Sequence, residues 1–241
     1  MAWHETLAAF DLETTGIDVR TARIVSACVV ELDARGEVVA RRDWLIDPGV
    51  PIPEPATRVH GITTERVRAE GLPADHGVAE ILEAVREVFD RGVGLVVYNA
   101  PYDLTLLAHE VRRHGLREIP APMPVVDPIV LDKQVDRYRK GKRTLDLTAA
   151  HYEVPLLDAH DAGADAIAAA RVAQAIGRRY PEALDLAIDE LHRAQVGWAA
   201  EQAADFAAYM RRKANASWSS DRPAWPGGRV DWEGPAMALI G

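Results

Sequence analysis

The sequence predicts an α/β fold: a mixed five-stranded sheet flanked by helices, with a helical extension at the C-terminus. Three observations lead there. Five short apolar runs, at residues 7–11, 23–32, 37–46, 93–98 and 124–127, have the length of buried strands, and a turn at Asp33-Ala34-Arg35-Gly36 joins the second to the third. Helical periodicity fills the intervals at about 63–69, 76–90, 102–114, 128–138, 144–150 and 162–180, while the Pro-rich stretches 48–55 and 118–128 read as connections. At 241 residues and 48% hydrophobic content, the chain can bury one full core and carry an appendage.

Residues 10–16, Phe-Asp-Leu-Glu-Thr-Thr-Gly, place Asp11 and Glu13 two apart at the end of the first apolar run. Side chains alternate along a strand, so both carboxylates point the same way and repel unless a cation lies between them. Taken alone, the pair reads first as an acidic turn after a strand. Two further segments weigh against that. Tyr98-Asn99-Ala100-Pro101-Tyr102-Asp103 sets Asp103 at a strand-to-helix junction, where a lone carboxylate would serve the helix N-terminus. His160-Asp161-Ala162-Gly163-Ala164-Asp165-Ala166 opens an Ala-rich helix, with His160 and Asp165 spanning its entry loop and first turn. Singly, these two read as a surface histidine and a first-turn acid.

Together the three segments resemble the three motifs of the DEDDh, or DnaQ-like, 3′–5′ exonucleases of the RNase H-like superfold. Order, spacing and flanks agree over roughly residues 5–180. Arg58-Val59-His60-Gly61-Ile62-Thr63 is similar to the family's Val-His-Gly-Ile loop, and Val126-Asp127-Pro128 sits where many members have a strand ending in Asp-Thr. Tyr98, Tyr102 and Pro128 stand where many members have His, Phe and Thr, and none of these departures removes a catalytic group. The resemblance implies release of nucleoside 5′-monophosphates from the 3′ end of DNA or RNA, with two Mg²⁺ or Mn²⁺ ions. It also implies that Asp11 bridges the ions, that Glu13 and Asp165 complete one site, that Asp103 holds the other, and that His160 is the general base. Thr14 and Gly16 would approach the terminal sugar. His60 would either reach the bound nucleotide or pack its own loop.

The residue chemistry agrees. A phosphodiester is an anion, and hydrolysis adds charge to the attacking water and to the leaving oxygen. Carboxylates are the ligands that hard divalent cations prefer, and a pair of ions ~3.5–4 Å apart can clamp both ends of an in-line displacement. A neutral imidazole, with an ordinary pKa of ~6.5, is suited to take the proton from water.

A net charge of −9 argues at first against a nucleic-acid partner, but the charge is not uniform. Asp-Arg-Tyr-Arg-Lys-Gly-Lys-Arg at 136–143 reads either as a solvated helix end or as a basic loop in which Arg139, Lys140, Lys142 and Arg143 grip phosphates of a single-stranded or frayed 3′ end. With no run of 18 apolar residues and a single cysteine, Cys28, the expectation is a soluble cytoplasmic protein without membrane contact. The resemblance stops near residue 181. Residues 182–241 carry a helical stripe through Leu184, Ile188, Leu191, Trp198, Phe206 and Met210, then Trp218, Trp225 and Trp232. That tail either packs on the exonuclease domain, 1–181, or binds a protein partner. A binding module that merely kept the fold would not require Asp11, Glu13, Asp103, His160 and Asp165 together, so the sequence favours an enzyme.

Overall fold

The computed structural model describes residues 2–156, 160–213 and 223–227. At its centre is β1, Leu7–Thr14, which begins with four buried apolar residues. β1 pairs antiparallel with β2, Ile24–Leu32, and β2 pairs antiparallel with β3, Val38–Asp47, across the predicted turn, where the Asp33 carboxylate accepts from the Arg35 and Glu37 N–H groups. On its other side β1 runs parallel to β5, Gly94–Val96, and β5 runs parallel to β6, Val125–Val126. A sixth strand, β4 (Leu72–Pro73), joins the outer edge of β3 and gives the order β4-β3-β2-β1-β5-β6. Two residues of Leu-Pro show no alternation, so β4 was outside the five expected strands.

Helices cover both faces. Even-numbered residues of β1, Ala8, Phe10 and Leu12, pack with α3 (Ala74–Asp90) and α4 (Ala100–Arg113). Odd-numbered Leu7 and Ala9 pack with α5 (Pro128–Val135), α6 (Leu145–His151), α7 (Ala162–Arg179) and α8 (Ile188–Lys213). The same alternation sends Asp11 and Glu13 toward α7. That helix lies on β1 and β2 through Ala166, Ala169, Ala170 and Ala173, whose small side chains permit a close approach. Two short helices, α1 (Glu54–His60) and α2 (Thr64–Glu70), sit beside a small cluster of Val25, Ile52, Ile62 and Val67. α1 takes up the end of the predicted 48–55 loop. Pro55 lies in its first turn, where the missing N–H costs no helix bond.

The C-terminal stripe forms a helix only from Ile188. Leu184 and Leu191 are buried and Trp198 packs on the core, but Phe206 is exposed. Polar side chains add to this apolar docking. β6 is an edge strand, and its free backbone groups are met by α8: Val125 N–H donates to His192 Nδ1 (3.1 Å), Asp127 N–H donates to Gln195 Oε1 (2.8 Å), and Gln195 Nε2 donates to the Val125 carbonyl (3.0 Å). Trp225 packs on the core, whereas Trp218 and Trp232 lie outside the described residues. Among the described residues no helix is long and apolar enough to cross a membrane.

This docking predicts two effects on stability. Gln195→Ala strands a buried N–H and a buried carbonyl, at about 1–3 kcal/mol for each, and should lower the urea midpoint accordingly. His192 can accept through Nδ1 only when that nitrogen is unprotonated, and burial holds its pKa below 6.5. The unfolded chain therefore binds the proton first, so the stability present above pH 6.5 is lost as pH falls below it. His192→Gln should flatten that acid-side loss in urea titrations across pH.

Candidate active site

The carboxylates of Asp11 and Glu13 emerge from the odd face of β1, opposite Cys28 and Ser26 of β2. Glu13 is buried and Asp11 partly so. Asp165, in the first turn of α7, faces them. One oxygen from each of Asp11, Glu13 and Asp165 lies within 4.8 Å of the other two. Asp165 Oδ1 is buried without a hydrogen-bond partner. Three clustered carboxylates with an unpartnered buried oxygen form a hard donor set that fits a divalent cation, the chemistry for which Asp11, Glu13 and Asp165 were singled out.

Asp103 approaches from the other side of β1, on the first turn of α4. It is buried, and the N–H groups of Leu12 and of Asp103 itself favour its charged form. Its carboxylate raises the pKa of Asp11 but lies outside the group of three. Asn99, which precedes α4, has φ 62° and makes no side-chain cap. The cap comes instead from Asp127, whose carboxylate accepts from Asn99 N–H (3.1 Å) and Ala100 N–H (3.0 Å) while also capping α5 through Ile129 N–H (3.0 Å).

His160 is exposed, has φ 71°, and donates its backbone N–H to Asp165 Oδ2 at 3.3 Å. A left-handed histidine is strained and persists only where its surroundings hold it. Asp161 supplies part of that hold by capping α7 at Ala164 N–H (2.9 Å). Arg41 of β3 supplies more: it pairs with Asp43 and lies 3.9 Å from Asp161. Its guanidinium rests on Gly163, where a Cβ would come within 2.1 Å of Nη2. The imidazole of His160 lies within electrostatic reach of Asp165, Asp146 and His60.

These acids disfavour one another's ionisation. Burial comes first for each, and neighbouring carboxylates add to it. Asp11 is held well above the usual carboxylate range by burial, then by Asp103, Asp165 and Glu13. Burial, Asp165 and Asp161 push Glu13 up to about 8. Asp103 and Asp165 are raised as well, both chiefly by burial.

The expected substrate contacts divide. Thr14 and Gly16 form a turn locked by Tyr102, whose hydroxyl donates to the Gly16 carbonyl (2.6 Å) and lies 2.8 Å from Thr14 Oγ1. Beside it, Ile17 is 93% exposed. His60 Nδ1 accepts from Ile62 N–H (3.1 Å), so its proton resides on Nε2, which is buried and faces the Thr14 backbone. Burial lowers the pKa of this ring and so favours its neutral form.

The basic loop requires a correction. Arg139 and Arg143 turn inward onto the fully buried Asp132, which also accepts from the Tyr152 hydroxyl. A buried carboxylate demands charged partners, so these two arginines hold the loop and leave Lys140 and Lys142 as its exposed cations beside Arg137, which pairs with Asp205. Sequence reasoning also missed Arg41, Tyr102 and the capping role of Asp127. Only Asp127-Pro128, an N-cap followed by an N1 proline, carried a local signal.

A mixed sheet with acids from β1, α4 and α7 converging at one end of the central strand defines a nuclease of the RNase H-like, DnaQ-like class. Residues 8–173 match the exonuclease family, and the chain belongs to it. Among its relatives, the PolC-type DNA polymerase III of Lacticaseibacillus paracasei is 30% identical over 157 residues, 65% of this chain and 10% of that protein. A solved structure of exonuclease I superposes with a TM-score of 0.64 at 19% identity, covering 75% of this chain and 42% of that one. The zinc-bound complex of Escherichia coli exonuclease I with single-stranded DNA gives 0.63 at 18% identity, with the same coverage. The chain thus spans about a tenth of the polymerase it matches and under half of exonuclease I.

Raised carboxylate pKa values make a testable demand on the metal-free protein. Protonation of Glu13 stabilises the fold fully below 4.5, and this is lost as pH rises through about 8. The melting temperature of wild type should therefore fall relative to Glu13→Gln across that window. Mn²⁺ should restore it, more at the alkaline end. Parallel melting curves for the two proteins, insensitive to Mn²⁺, would contradict the burial of an ionisable Glu13.

Proposed function

We propose that the chain is a two-metal 3′–5′ exonuclease of the DEDDh type, acting on single-stranded or frayed 3′ ends of DNA or RNA. The convergence of Asp11, Glu13 and Asp165 oxygens within 4.8 Å carries this reading. Asp11, Glu13 and Asp165 would hold one Mg²⁺ or Mn²⁺, and Asp103 with Asp11 a second. When bound, the ions supply positive charge to the attacking and leaving oxygens of the phosphodiester.

The chain's own groups do the rest. His160, whose left-handed backbone is fixed through Asp165 and Asp161, would take the proton from water. The neutral His60 offers its Nε2–H to a nucleotide oxygen. The turn locked by Tyr102 presents the Thr14 and Gly16 backbone to the terminal sugar, and exposed Ile17 offers an apolar surface to its base. Lys140 and Lys142 meet the phosphates upstream. The single-stranded DNA in the complex of exonuclease I, whose fold this chain shares, supports this choice of substrate.

Digestion of a 5′-labelled oligonucleotide should give a ladder shrinking from the 3′ end, abolished by EDTA and by Asp11→Ala. Prompt release of labelled mononucleotide, or full activity in EDTA, would overturn the reading. His160→Ala should slow single-turnover cleavage by ~10²–10⁴-fold while leaving Mn²⁺ affinity nearly intact. An unchanged rate and pH profile would make His160 a bystander.

The loop is tested separately from its scaffold. Lys140→Gln with Lys142→Gln should raise KM and reduce the log–log salt slope by ~0.7 per lost phosphate contact, with stability unchanged. Arg139→Gln should instead lower stability, because Asp132 stays buried and loses one of its cations.

A further inference from the structure

The segment 223–227 lies against the helix that carries Asp103. Trp225 packs beside His192 of α8, with ring centroids 5.2 Å apart and planes at 41°, and its Nε1–H donates to Asp127 Oδ2 at 3.2 Å. Each Asp127 oxygen thus accepts two hydrogen bonds: Oδ1 from Asn99 and Ile129, Oδ2 from Ala100 and Trp225. The carboxylate is 2% exposed. Gly227, with φ +94°, presses on the first turn of α4, where a Cβ would come within 2.8 Å of Pro101 Cα and 2.9 Å of Thr105 Oγ1.

We propose that Trp225 is a positioning residue for the active site: through Asp127 it fixes the first turn of α4, and with it the placement of Asp103 beside Asp11. Asn99 holds a left-handed conformation without a side-chain cap of its own, so the entry to α4 depends on Asp127. Three of the four donors to Asp127 belong to the α4 and α5 junctions that it caps. Trp225 comes from far along the chain and sets the orientation of the carboxylate from outside those junctions. Losing its N–H frees Oδ2 to turn from Ala100, and Asp103 sits three residues further on. Small displacements of a catalytic group cost much, up to ~10²-fold for about 1 Å.

The effect on catalysis rests on the two-metal reading; the effect on the α4 backbone does not. Trp225→Phe keeps an aromatic ring beside His192, deletes the donor and trims some packing, which is why core amides serve as the internal control. In the full-length, metal-free protein it should speed amide exchange at Asn99 and Ala100 about 5-fold, the worth of one such bond, with core amides unchanged. Mn²⁺ affinity should fall by a similar factor and kcat should drop, with KM for the oligonucleotide unaltered. If Trp225 acts through Asp127, adding Trp225→Phe to Asp127→Asn should change neither readout further. Exchange unchanged at both amides, a uniform rise across the protein, or full additivity with Asp127→Asn would overturn the proposal. Should Asp127→Asn fail to fold, the exchange pattern of Trp225→Phe alone decides. If wild type binds no Mn²⁺, the two-metal reading falls, while the exchange pattern still judges Trp225.

Discussion

The structure depends on one unfavourable interaction: four carboxylates gathered at the end of the central strand, each raised in pKa by burial, with repulsion from its neighbours added. Such a cluster lowers stability unless protons or cations occupy it. Asp11 and Glu13 cannot separate, because they share one face of β1, and β1 is locked between β2 and β5. The sheet imposes the proximity, and the surrounding core must hold it.

Three devices provide that hold. The alanine face of α7 brings Asp165 close to β1, with the helix start fixed by Asp161 and by Arg41 over Gly163. Asp127 organises the starts of α4 and α5 together and thereby Asp103. α8 closes the exposed edge of β6 with His192 and Gln195, so the strand that delivers Asp127 is itself anchored. α8 is thus part of the site's framework.

Much of this was legible in the sequence because its signals were local. The Asp-Leu-Glu run closing an apolar strand, the Asp103 junction and the His160–Asp165 helix start each lie within a few residues, and the structure brings all three acidic segments together. The central strands, the 33–36 turn and most helices were likewise set by short-range periodicity. What escaped was decided by partners distant in sequence. Arg139 and Arg143 look like any solvated basic pair until Asp132 is found buried beneath them, and Arg41 is unremarkable until β3 lies over α7. Trp225 belongs to a tail whose sequence left packing on the domain and binding a partner both open, and it finds its acceptor 98 residues away in Asp127. β4 and α1 are short enough that tertiary contacts, not pattern, determine them.

The central claim, that the acidic cluster is held partly protonated until a divalent cation replaces the protons, is tested most directly by calorimetry. Mn²⁺ would be titrated into the metal-free chain in buffers of different ionisation enthalpy. The account predicts release of about one or more protons per chain near neutral pH, with affinity tightening as pH approaches the raised Glu13 value of about 8. Binding that releases no protons and has the same affinity at every pH would contradict it.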